Sequence, residues 1–154
     1  MSSLSSLLGR VLGLSKQSQA EIDFAESALH DLDIHVALSA HENWKNRLQA
    51  YLDGNSKEVF EANAICFDDR CDLGKWIHST GKARLGHHPG FTALVSHHKM
   101  FHFAASNVVA LQSRGKTAEA NAMLQGQFSQ FSKSVQSDLN ALYSAAVNKK
   151  KVAA

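Results

Sequence analysis

Apolar side chains recur every three to four residues along most of this chain, the period of a helix that buries one face. From about Ser18 to Leu52 the stripe is His30, Ile34, Ala37, His41, Trp44 and Leu48, and Gly54 follows as a stop. A short helix is predicted from near Ser56 through Val59, Phe60, Ala62 and Ile65 to Asp68-Asp69. Those aspartates are read as the cap of a further helical turn holding Cys71. Gly81, Gly86, Pro89 and Gly90 predict a loop. Another long helix carries Phe91, Val95, His98, His102, Ala105 and Val109 and stops at Gly115. The last, from about Thr117 to Val147, carries Leu124, Phe128, Phe131, Val135, Leu139 and Leu142. Three long amphipathic helices and a broken one predict an all-α fold: an antiparallel four-helix bundle whose short broken segment bears Cys71.

Length and composition narrow the class. The chain has 154 residues, 44% of them apolar, and a single proline, which suits one helical domain with one core. Residues 1–17 read as an N-terminal amphipathic arm with Leu4, Leu7, Leu8, Val11 and Leu14, either mobile or packed on a neighbour. Reversible membrane or partner contact is the alternative reading of that arm. Residues 18–148 form the helical domain, and residues 149–154 a basic tail opening with Lys149-Lys150-Lys151. With 16 basic and 14 acidic residues interspersed, the net charge of +2 argues against a nucleic-acid partner. No apolar run approaches the roughly 18 residues of a membrane span. Two cysteines five positions apart do not make a secreted disulfide framework, so a cytoplasmic location is expected.

The candidate chemistry lies on the stripes. His41, His98 and His102 occupy apolar positions, where an imidazole without water needs a hydrogen-bond partner or a metal ion. His98 and His102 are four apart, so both rings can reach one ion. Cys71 is expected at a helix start, where amide groups and the helix dipole favour a thiolate. Gly74, one turn on, would allow another backbone to approach, and Leu73 and Trp76 would hold that turn to the core. Three histidines and one cysteine make a tetrahedral set suited to zinc rather than to calcium or magnesium. Around it, Asp69 and Asp72 either orient a ligand histidine or simply cap, and His78 is either a second-sphere donor or a surface residue. His97 should point away, His87 and His88 should be solvated, His30 and His35 should be helix surface or packing, and Cys66 should be a small buried apolar residue.

Three motifs, His41-Glu42-Asn43-Trp44, Cys71-Asp72-Leu73-Gly74-Lys75-Trp76 and His98-Lys99-Met100-Phe101-His102, resemble in order those of the chemoreceptor zinc-binding domain of bacteria, over roughly Ile22 to Tyr143. The resemblance implies a four-helix fold holding one Zn2+ per chain through His41, Cys71, His98 and His102, with Trp44 and Trp76 beside the ligands. It also implies a homodimer in the cytoplasm, signalling with chemotaxis receptors or diguanylate cyclases, and sensing of zinc or hypochlorite-type oxidants through the cysteine. No receptor coil or cyclase sequence flanks the motifs, so a stand-alone member is expected. The alternative is an adaptor whose zinc is purely structural. An enzyme is not expected: Glu42 is turned about 100° from His41 on a helix, and no glutamate accompanies His98 and His102 as a di-iron centre would need.

Overall fold

The computed structural model describes residues 32–153, which contain helices and no strand. The expected arm, and the part of the expected first helix before residue 32, with His30, lie outside the described residues. Helix α1 is Ile34–Leu52, started by Asp33, whose carboxylate accepts from the Val36 amide at 3.0 Å. That cap and the non-helical Leu32 correct the expectation of one helix running on from Ser18. Gly54, at φ 71°, ends α1 as expected.

The next stretch is less helical than its pattern suggests. Only α2, Ala62–Ile65, forms, while residues 55–61 are irregular. Ser56 Oγ accepts from the Glu58 amide at 3.0 Å, a local bond that competes with helix. Phe60 leans on Trp44 and Tyr51, and Val59 is 89% exposed. Helix α3, Asp72–Trp76, continues through a π-helical turn, Ile77–Gly81, into α4, Lys82–Leu85. The expected loop therefore shrinks to residues 86–88. Gly81 sits inside helix for a packing reason: a Cβ there would lie 2.9 Å from Phe91 Cε2 and 3.0 Å from Trp76 Cε3.

Helix α5, Pro89–Ser113, begins with proline at its first position, and His88 Nδ1 accepts from the Gly90 amide at 3.1 Å. Gly115, at φ 74°, turns the chain into α6, Thr117–Met123. A second π-helical turn, Leu124–Phe128, leads to α7, Ser129–Ala153, which extends past the expected end at Val147. Helix α5 packs most extensively on α7, with α1 against α5, α6 and α7 and α2 along α5. Leu48, Leu94, Phe101, Val108, Leu124, Phe128, Val135 and Leu139 are fully buried between them. At roughly 1.5–3 kcal/mol for each large side chain removed from water, these stripes dominate the stability of the fold.

Candidate metal centre

Helix α5 supplies two buried imidazoles, His98 and His102, set on one face by their four-residue spacing. The chain reaches them from outside: Ser106 Oγ donates to the Ala62 carbonyl at 2.8 Å, and His102 Nδ1 donates to the Ile65 carbonyl at 2.8 Å. These bonds lay α2 along α5, and the turn after it delivers Cys71. The turn fits only because residue 74 is glycine, since a Cβ there would stand 1.7 Å from the Asp68 carbonyl oxygen. Cys71 is itself the N-cap of α3, its Sγ accepting from the Gly74 amide at 3.2 Å. The expectation that Asp68-Asp69 would cap this helix is thereby corrected.

Cys71 Sγ lies 3.3 Å from His98 Nε2 and 3.6 Å from His102 Nε2. The three ligand atoms fall within 4.8 Å of one another. A tetrahedral zinc with bonds near 2.3 Å to sulfur and 2.0–2.1 Å to nitrogen separates S and N by about 3.5 Å. The two sulfur–nitrogen separations match that spacing. His41 is outside this compact group, with its ring centroid 5.5 Å from that of His98. Its Nδ1 lies 2.7 Å from the Ala37 carbonyl, which can only accept, so the proton is on Nδ1 and Nε2 carries a lone pair. That Nε2 is buried without a partner, and so is His98 Nδ1.

Burial pushes all three imidazoles below their ordinary value of 6.5, His98 to about 2 with the neighbouring rings of His102 and His41 adding to the effect. The Ala37 carbonyl partly offsets this at His41, and the Ile65 carbonyl with Asp68 and Asp69 at His102. At neutral pH the rings are therefore uncharged, as metal ligands must be. Cys71 departs from expectation. Burial pushes its thiol up and outweighs the amides of Gly74 and Leu73 that favour the thiolate, with the Asp72 carboxylate adding to the rise. A cation is then what would hold the sulfur ionised.

Without metal, the chain should lose stability in mild acid. A histidine held neutral in the fold takes up its proton more readily when unfolded, so stability is full above about pH 6.5 and lost as pH falls toward the depressed folded values. The loss is about 1.4 kcal/mol per pH unit for each such histidine. Urea unfolding at pH 7.5 and 5.5 should show it, and equal midpoints would contradict it.

The other candidates separate clearly. Asp72 is exposed and 4.0 Å from Lys75 Nζ, and Asp69, also exposed, acts on His102 only through its charge. His78 Nε2 lies 3.0 Å from Asp68 Oδ2, an exposed contact rather than a bond to a ligand atom. Trp76 is buried edge-on to Phe91, while Trp44 is half-buried under the Arg47 guanidinium, 4.3 Å from its ring. His35, His87 and His88 are exposed, and His97 points away to Asp138 at 2.7 Å. Cys66 is half-buried, its Sγ 3.3 Å from the Asn63 carbonyl. The Ala37 and Ile65 carbonyls were not foreseen, since a backbone acceptor has no signature in the sequence. A cleft of about 400 Å³ between α1 and α3, walled by Leu32, Val36, Trp44 and Trp76, opens onto His41 and Cys71.

These features define a helical protein with a partly buried cysteine–histidine cluster that could hold a metal ion. Residues 41–109 match the family model of the chemoreceptor zinc-binding domain. No curated protein and no solved structure matches the chain. No helix among the described residues is long and apolar enough to cross a membrane.

Proposed function

We propose that the chain is a sensor module in which His41, Cys71, His98 and His102 hold one Zn2+ per chain within an antiparallel four-helix bundle. One observation carries this reading: the Cys71 sulfur stands at metal-ligand spacing from two imidazole nitrogens, while the Nε2 lone pair of His41 is buried with nothing to bind. The ion would supply the positive charge that keeps Cys71 a thiolate. The chain supplies neutral rings, two of them fixed through Nδ1 by the Ala37 and Ile65 carbonyls.

The signal in this reading is zinc supply or oxidation of Cys71, reached through the cleft between α1 and α3. Hypochlorous acid converts the thiolate to a sulfenic acid and leaves as chloride, two electrons passing from sulfur to chlorine. The sulfenic acid no longer offers an anionic sulfur, so α3 loses its tie to α5. The output is chemotaxis or cyclic-di-GMP signalling, through a chemoreceptor or diguanylate cyclase partner, from a cytoplasmic homodimer. Catalysis is not part of the proposal, because Glu42 and Asp72, the carboxylates next to proposed ligands in sequence, are both solvent-exposed.

The test is elemental analysis of protein purified without added metal, followed by titration with hypochlorite. One zinc per chain, released in step with modification of Cys71, is the expected result. Zinc retained after Cys71 is fully oxidised would leave an adaptor with a structural metal; absence of zinc from the purified protein and failure to take it up would end the reading altogether.

A further inference from the structure

We propose that Cys66 is the resolving thiol for oxidised Cys71, so that the turn between them is a reversible disulfide switch. The proposal rests on the oxidant-sensing reading above and adds a second reacting residue to it. Cys66 is a half-buried thiol outside any disulfide at the end of α2, and its Sγ donates to the Asn63 carbonyl at 3.3 Å. Cys71 follows after four residues, 67–70, none of them in a helix. A single imidazole bridges the two cysteines' surroundings: His102 faces Cys71 Sγ with Nε2 at 3.6 Å and bonds through Nδ1 to the carbonyl of Ile65, the residue joined to Cys66. Cys71 thus faces this ring directly, and Cys66 is joined to the residue whose carbonyl holds it, the two cysteines flanking one non-helical turn.

The chemistry balances with a two-electron oxidant such as hypochlorous acid. Cys71 thiolate and HOCl give Cys71 sulfenic acid and chloride. The sulfur of Cys66 then attacks that of Cys71, the S–O bond breaks, and the departing hydroxide takes the Cys66 proton to leave as water. A disulfide needs Cα atoms about 4.4–6.8 Å apart, and residues 67–70, none of them helical, are the segment that would adjust to bring them there. This rearrangement has a direct consequence at the metal site. Drawing Cys66 toward Cys71 shifts the adjoining Ile65 carbonyl, so the thiolate and the support of His102 are lost in one event.

The experiment treats the zinc-loaded full chain and its C66S variant with hypochlorite, then reads zinc release, intact mass and alkylatable thiols under non-reducing conditions. Cys66 is not among the ligand atoms, so C66S should load zinc as the wild type does. The wild type should lose about 2 Da and both reactive thiols, release zinc, and recover it after dithiothreitol. With excess oxidant, C66S should instead gain about 32 Da as the sulfinic acid and fail to rebind zinc. Cys71 oxidised and zinc released while Cys66 stays alkylatable would overturn the proposal but leave the sensor reading standing. Disulfides formed only between chains would overturn it too, and Cys71 unoxidised with zinc retained in both proteins would sink both ideas.

Discussion

Alanine at Gly74 is expected to destabilise the chain by about 2–3 kcal/mol or more and to weaken metal binding with it. The added methyl would sit 1.7 Å from the Asp68 carbonyl oxygen, 2.8 Å from its carbon and 3.1 Å from Asp69 Cα. Every one of those atoms is backbone, so no side chain can swing aside. Either α3 or the turn at residues 68–69 must move, and that turn is what brings Cys71 to His98 and His102. Moving it also disturbs the Gly74 amide, which donates to the Cys71 sulfur. Gly126 is the natural control, since its Cβ would meet nothing within 4 Å and it lies in a helical turn. Alanine there should be neutral or stabilising by up to about 1 kcal/mol. Thermal unfolding of both variants, at about 2–4 °C per kcal/mol for a chain of this size, decides the matter. If G74A melts with G126A, the close approach that positions Cys71 does not exist in solution.

The same glycine shows what the sequence makes legible. Its position one turn after a cysteine suggested a close backbone approach, and the Asp68 carbonyl is that approach. The stripes on α5 and α7 were readable because burial selects apolar residues at the helical period, and His98 and His102 stood out as exceptions on such a stripe. Around α2 and α3 local signals misled. Val59 and Phe60 continue a helical pattern, yet Phe60 takes its place from contacts with Trp44 and Tyr51, which are far off in sequence. Asp68-Asp69 looked like a cap by residue type, but Cys71 caps α3 itself. The two π-helical turns left no trace in the pattern. Gly81 was read as a loop residue because its smallness signals a turn as readily as it signals the ring contacts it actually makes. Of the cluster, the side chains of Cys71, His98 and His102 were legible and the backbone groups around them were not. The shift of the Cys71 thiol also depends on depth, which the local dipole argument omitted; desolvation outweighs the amides.

Alanine at His98 is expected to lower zinc affinity about a hundred- to a thousandfold, since the ligands of a tetrahedral zinc share a binding free energy of about 10–16 kcal/mol in small zinc peptides. Cys71→Ser should fall in the same range, because a serine hydroxyl does not ionise near neutral pH. The decisive member of the series is His41→Ala. His41 is outside the compact cluster, yet burial without a partner for Nε2 is a cost that a fourth ligand bond would remove. If His41 closes the tetrahedron, H41A should match H98A, and cobalt in its place should give a weaker and shifted visible spectrum as the ion opens to water. If the ion is held by three residues, H41A should bind zinc within a few-fold of wild type and the unpartnered nitrogen would need another explanation. His97→Ala supplies the control for damage to α5 itself. It removes the bond to Asp138 on α7, next in sequence to a ligand but facing away from it, and should change stability by about 1 kcal/mol or less while leaving zinc affinity alone. Competition with a chromophoric chelator, run on all four variants, reads every affinity on one scale. A ranking in which H97A fell as far as H98A would mean that the helix, not the ligand set, had been measured.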